Sequence, residues 1–312
     1  MMLDTVNFSL TQAEVEGVDF LAEVTPYLDR VAEHNYDGNI VITGSLENYT
    51  VSITPFQVKV KDGSLCKWYM GDNFKSMGRR DIQHAIEKLS DELHLPMQQA
   101  SVKRLDVAEN IITRHPVSVY LSHLGVLSYA NRLEEPNSLY YIKRDSTLCF
   151  YDKIREQRDK KMPIPELFSK SNVLRYEQRY TKRLGATFKV ERVTGAMLYD
   201  EVFYINLLKR WSNSYRAISK VNDVSLNFNA IKTKQQFYRM ALLALIGNVG
   251  GEVEMMNQIA KAQRCGNLTT KQAYDLRLAV KDACKIREGF TVKSDIITEL
   301  DKKIAGAVRY YR

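Results

Sequence analysis

The chain has 312 residues, of which 45% are apolar and 26% charged, a length and balance that support one large core or two ordinary ones and exclude disorder throughout. The net charge of +8 is unevenly spread: acids exceed bases by 7 over residues 1–100, while bases exceed acids by 7 over 101–190 and by 8 over 191–312. That asymmetry points to an anionic partner for the last two-thirds, against the plainer reading of solvated helix faces.

Residues 38–61 alternate apolar and polar side chains (GNIVITGSL, TVSITPFQVKVKDG) and are rich in Val, Ile and Thr, so strands are expected there, with Asp62-Gly63 as a turn. Residues 66–70 extend this pattern. The stretch RRDIQHAIEKLSDELHLP has helical spacing, with Ile82, Ala85, Ile86 and Leu89 on one face and Pro96 ending it. VKRLDVAENIIT (102–113) then reads as a strand, and 116–126 as a short helix with Pro116 in the favoured first turn. SLYYIK (138–143) and TLCFYDK (147–153) face each other across Arg144-Asp145-Ser146. Residues 154–171 are charged and carry Pro163 and Pro165, so an exposed loop is expected; VLRYEQRYTKRL (173–184) reads as a basic strand. From about Met197 the periodicity is helical almost throughout. A boundary near residue 195 therefore divides an α+β domain (1–195) from an all-helical one (196–312).

The longest apolar run, 240–249, is interrupted by Gly247 and Asn248 and falls far short of the ~20 residues a bilayer needs. MMLDTVNFSL lacks the basic flank and apolar stretch of a secretory signal. Cys66, Cys149, Cys265 and Cys284 have neither metal-binding spacing nor the density of a disulfide framework, which suggests a reducing cytoplasm.

Three strands carry the chemistry. With a two-residue period, Leu105 and Val107 share one side of KRLDVAE, and Arg104, Asp106 and Ala108 the other. Leu148 and Phe150 oppose Cys149, Tyr151 and Lys153; Leu174 and Tyr176 oppose Arg175, Glu177 and Arg179. If the strands are neighbours, Asp106, Glu177, Tyr151 and Lys153 converge on one face bordered by Arg104, Arg175 and Arg179. Two carboxylates among cations suit Mg²⁺ or Mn²⁺, which would polarise a phosphodiester. A tyrosine hydroxyl is a poor nucleophile unaided, and a neighbouring lysine and a metal-bound phosphate would favour its phenolate. Each residue also has a plainer role: Tyr151 as a packed strand aromatic, Lys153 as a surface residue, Asp106 and Glu177 as ion-pair partners of arginines.

RLDVAEN, TLCFYDKIREQ and LRYEQRYTKRL together resemble the three motifs of the replication initiators of the filamentous-phage gene II/X class and, more distantly, plasmid rolling-circle initiators of the Rep_trans type. The resemblance spans about residues 40–190. It implies a mainly antiparallel central sheet with helices on one face, followed by a helical region. It places the nucleophile at Tyr151 with the motif lysine at Lys153, and metal ligands at Asp106 and Glu177. The implied activity is a site-specific nick in a replication origin, leaving a 5′-phosphotyrosyl link and a 3′-hydroxyl that primes rolling-circle synthesis in a bacterial cytoplasm.

Departures are also visible. None of the five histidines forms the His-hydrophobic-His pair of better-known rolling-circle enzymes, and the third metal ligand is unassigned: Glu109 falls on the wrong face, leaving Asp145 with little support. Tyr140 and Tyr141 are candidates for a second, resolving tyrosine, with strand packing the plainer role. The tyrosine-recombinase pattern fails after His115 and His123, and no Walker phosphate loop occurs, so a host helicase and polymerase are expected partners alongside double- and single-stranded origin DNA. Arg104, Arg175, Arg179, Lys182 and Arg183 are the expected DNA contacts. Tyr176 and Tyr180 interleave with them, although Tyr176 sits on the apolar side. The helical C-terminus is a candidate for homodimerisation or for binding origin duplex, 266–284 having a weak helix-turn-helix pattern. The alternative is a non-enzymatic DNA-binding or structural protein that uses the basic two-thirds.

Overall fold

Apolar residues alternate with polar ones along much of the first 180 positions, and the computed structural model pairs these segments into one antiparallel sheet. It describes residues 2–221, 223–224, 231–285, 291–292 and 294–312. The strands are β1 (Met2–Thr11), β2 (Asp29–Tyr36), β3 (Asn39–Leu46), β4 (Tyr49–Thr54), β5 (Gln57–Lys61), β6 (Ser101–Thr113), β7 (Asn131–Glu135), β8 (Ser138–Ile142), β9 (Ser146–Asp152) and β10 (Asn172–Tyr180). Their order is β2-β3-β4-β5-β1-β6-β10-β9-β8-β7. Two antiparallel runs thus meet at the β1–β6 pair, and β6, β10 and β9 lie side by side as the motif reading requires.

Helices α1 (Phe20–Val24), α2 (Leu65–Met70), α3 (Arg79–Leu93), α4 (Val117–Ser122), α5 (Lys153–Asp159) and α6 (Leu184–Phe188) are interspersed among the strands. α3 buries Ile82, Ala85, Ile86, Leu89 and Leu93, the stripe its spacing predicts. Two expectations fail locally. Residues 66–70 are helical rather than extended, because the Ser64 hydroxyl accepts from the Lys67 N–H and Gly71, at φ 86°, closes the turn. The start of the expected 154–171 loop is α5, whose N-terminus is capped by Asp152 accepting from the Arg155 N–H.

The apolar side of β10 packs on α7 (Glu201–Arg216). Phe150 stacks on Tyr176 at 4.4 Å and 2°, Tyr176 stacks on Trp211 at 4.7 Å, and the Tyr176 hydroxyl donates to the Trp211 carbonyl at 2.9 Å. Tyr180 is buried too, 5.0 Å from Phe188. Both rings are therefore core residues; neither is placed to stack on a nucleic acid.

The chain then forms α8 (Lys234–Asn248), α9 (Glu252–Arg264) and α10 (Thr270–Lys285), which share a small core of Ile246, Ile259, Ala273, Val280 and Ala283. The last helix, α11 (Asp295–Tyr310), returns to the sheet core with Leu300 and Ile304. Tyr120 donates to Glu299 at 2.6 Å and Tyr215 to Asp301 at 2.7 Å, fixing α11 on α4 and α7. So α7 and α11 pack with the sheet, while α8–α10 have a core of their own. No described helix is long and apolar enough to cross a membrane.

Candidate active site

Cross-strand partners point to the same side of a sheet, so the register assembles the site. Arg179 pairs with Asp106 and Thr147, Glu177 with Ala108 and Cys149, and Arg175 with Asn110 and Tyr151. Asp106, Glu177, Arg175, Arg179 and Tyr151 thus share one face. Arg104 Nη2 donates to Asp106 at 2.6 Å, Arg179 Nη2 to Glu177 at 2.5 Å, and Arg179 Nε lies 4.0 Å from Asp106. The two carboxylates are buried and linked through the Arg179 guanidinium.

A further carboxylate arrives from β1. Asp4 is buried and accepts from Arg175 Nη2 and from the Ser64 hydroxyl, and the same Arg175 nitrogen donates to Glu177 at 3.4 Å. Reading the motifs alone misses Asp4. Its strand carries a signal, since Val6, Phe8 and Leu10 alternate and are all buried, but only the sheet order brings residue 4 beside residues 175 and 177.

Arg175, expected as a DNA contact, is 0% exposed. Its guanidinium also donates to Asn110 Oδ1 at 3.1 Å and to the Asn73 carbonyl at 3.3 Å. It organises the floor beneath Tyr151 and does not face solvent. Arg104 and Arg179 remain about one-third exposed, and Lys182 and Arg183 are exposed. Lys153 departs from the strand alternation because β9 ends at Asp152. As the first residue of α5 it is buried, donates to Glu156 at 2.8 Å and lies 5.6 Å from the Phe74 ring centroid. Glu109 also lies off the shared face, as expected, with Ser76 donating to it at 3.4 Å.

The electrostatics are those of a dry, charge-dense face. Burial pushes the Asp106 carboxyl up to about 6, with Glu177 adding to the shift and Arg104 opposing it. Burial would raise Asp4 as well, but Arg175 draws it below the ordinary carboxylate range. Burial lowers the Lys153 ammonium, with repulsion from Arg175 in the same direction. Burial also holds the Tyr151 phenol well above its ordinary range; the Arg175 charge pulls it down, while Glu177 and Asp4 push it further up. The Arg175 charge favours the phenolate, yet burial keeps the phenol of the free chain protonated.

Tyr151 is half-buried and opens on a cavity of about 410 Å³, lined also by Tyr140, Arg155, Glu156 and Arg179. Burial opposes ionisation of Glu156, yet Lys153 and Lys160 hold its carboxyl down at about 2. Its folded value lies below the unfolded one, so its stabilisation is present above about pH 4.5 and fades as pH falls toward 2. Glu156→Gln is expected to cost about 1–3 kcal/mol at pH 7. In urea titrations, the gap from the native chain should narrow steadily below about pH 4.5.

Among the described residues, no group of three or more His, Cys, Asp and Glu is spaced to hold a metal ion as it stands. The donors present nevertheless suit a hard cation: Asp106 and Glu177 are oxygen ligands on adjacent strands, and the Asp106 carboxyl stays raised in spite of its arginine partner, so further positive charge beside it would be favourable.

A family model for the N-terminal part of a phage replication-associated protein, that of the gene II class, matches residues 2–213. This match runs from β1 through most of α7 and includes Asp4, Asp106, Tyr151 and Glu177. No relative is found among curated proteins.

Proposed function

The chain belongs to the gene II class of phage replication-associated proteins, and from that premise we propose that it initiates rolling-circle replication by nicking origin DNA through Tyr151. The observation that carries this reading is the side-by-side packing of β6, β10 and β9, which puts Asp106, Glu177 and Tyr151 on one face.

In the proposed reaction the Tyr151 oxygen attacks the scissile phosphorus and the bond from phosphorus to the 3′ oxygen breaks. The phenol gives up its proton, and the 3′ oxygen takes one up to leave as a hydroxyl. The product is a 5′-phosphotyrosyl link that conserves the phosphodiester energy for later rejoining. Arg175, directly across from Tyr151, favours the phenolate as it forms. Asp106 and Glu177 would hold Mg²⁺ or Mn²⁺, with Asp4 as the nearest candidate for a third carboxylate; the ion, when bound, supplies Lewis-acid stabilisation of phosphate charge. Arg104 and Arg179, each partly exposed and bound to a site carboxylate, would border the bound phosphate with positive charge. Lys182 and Arg183 extend the cationic border. A host helicase and polymerase would act on the nicked product.

Asp106→Ala and Glu177→Ala are each expected to lower metal-dependent cleavage of a supercoiled plasmid carrying the chain's own origin by about 100-fold. Retention of a single-stranded origin oligonucleotide should change little. Cleavage at the native rate in either variant would remove that residue from the metal site. Intact DNA binding with no cleavage by the native chain, under either metal, would favour the non-enzymatic reading.

A further inference from the structure

We infer that Tyr140 is a stacking platform for a base flanking the scissile phosphate, a positioning residue seated in the cavity that opens on Tyr151. The inference rests on the nicking reading and adds to it a nucleotide subsite.

Tyr140 and Tyr141 are adjacent in sequence, and the sheet gives them opposite fates. Tyr141 is buried on the apolar side, packs edge-on against Phe150 at 6.2 Å and donates to the Gly125 carbonyl at 2.7 Å. Tyr140 pairs across β8 and β9 with Cys149, and Ser138 pairs with Tyr151. Because partners share a side, Tyr140 lies on the Tyr151 face, one strand over and two residues along. It is half-buried and lines the same cavity of about 410 Å³. As a lining residue its side chain presents surface to the cavity, and among the described residues it stacks on no other aromatic ring.

The cavity is held in shape from both sides. The β7–β8 turn at Pro136 and Asn137 is tied down by the Asp152 N–H, which donates to the Asn137 carbonyl at 3.1 Å. Asp152 in turn caps α5, so the turn, the end of β9 and the helix form one wall. Most carboxylates around the cavity are already engaged. Ser138 donates to Glu135 at 2.8 Å, Lys153 and Lys160 hold Glu156 at 2.8 and 2.5 Å, and Arg155 lies 3.7 Å from Asp159. Arg179 reaches into the same space, about one-third exposed, where it can meet the phosphate beside the stacked base. An aromatic face with one nearby guanidinium is the combination that holds single-stranded nucleic acid, because every base has a π-face while the cation follows the backbone.

The test uses the full chain, in chelator so that DNA stays uncut, with single-stranded oligonucleotides spanning its own origin and carrying 2-aminopurine at successive positions. In the native chain, fluorescence should be quenched at one position next to the nick. Tyr140→Leu should relieve that quenching and weaken binding by about 10-fold or more, the scale of one lost base stack. Tyr140→Phe keeps the ring and should retain both signals, together with adduct formation once metal is added. A Leu variant that binds and quenches like the native chain overturns the inference. So does a Phe variant that binds normally but loses strand transfer, which would make the hydroxyl a reacting group. Failure of the nicking reading appears separately, as absence of any Tyr151 adduct in the native chain, because the quenching is read on uncut DNA.

Discussion

Tyr151→Phe is expected to reduce covalent adduct formation and plasmid nicking by on the order of 10⁴-fold or more, while leaving the fold and DNA retention unchanged. The substitution removes one oxygen and leaves the ring in place. A half-buried phenol loses little packing by this change, and the ring stays on its strand. Removing a nucleophile, by contrast, removes the covalent step itself, and comparable deletions leave only residual catalysis from binding and electrostatics. Burial also holds the phenol well above its ordinary range in the free chain. The phenol of the free chain is therefore protonated, and its proton must leave as the new bond forms. Gel assays on supercoiled origin plasmid, with thermal unfolding as the control, separate loss of chemistry from loss of structure.

The largest stability effect is expected at Arg175. Arg175→Ala should destabilise the chain by about 3–5 kcal/mol, because it strands the buried Asp4 carboxylate, leaves Glu177 with Arg179 alone, and removes the donors to Asn110 and the Asn73 carbonyl. Most of that cost is the penalty of an unpaired buried charge, so it should be partly recovered when Asp4→Asn is added. A double-mutant cycle by urea unfolding measures the coupling: residues in one charged network are expected to be non-additive by about 0.5–3 kcal/mol. Strict additivity would mean that Asp4 and Arg175 do not depend on one another. The single variant should also slow nicking, since Arg175 is the charge across from Tyr151.

Much of this arrangement is legible in the sequence, and the exceptions have physical causes. Alternation alone assigns β3, β4, β5, β6, β8, β9 and β10, and it puts Asp106, Glu177 and Tyr151 on one side of their strands. It can be applied only as far as a strand lasts. At Asp152 a helix cap takes over, so Lys153, one step further on, is turned into a buried ion pair with Glu156. The signal for that change is an Asp followed by KIREQRD, a run of good helix formers. Arg175 departs from expectation for another reason: on a charge-dense face, a position in the middle of the sheet is the one most covered by its neighbours. Asp4 is out of reach because nothing local reports that β1 pairs with a strand about a hundred residues away. Topology, unlike periodicity, is a long-range property. The same holds for α7 and α11, whose helical spacing is plain but whose attachment to the sheet depends on contacts such as Tyr120 with Glu299.

The central claim is that one tyrosine, held at the end of β9 opposite Arg175, becomes covalently joined to DNA. The most direct measurement is to trap the adduct on a single-stranded origin oligonucleotide with Mn²⁺, digest it, and identify the joined residue and DNA end by mass spectrometry. The account predicts a 5′-phosphate on Tyr151 and a free 3′-hydroxyl on the released fragment. An adduct on any other residue, or a 3′-phosphate link, would contradict it.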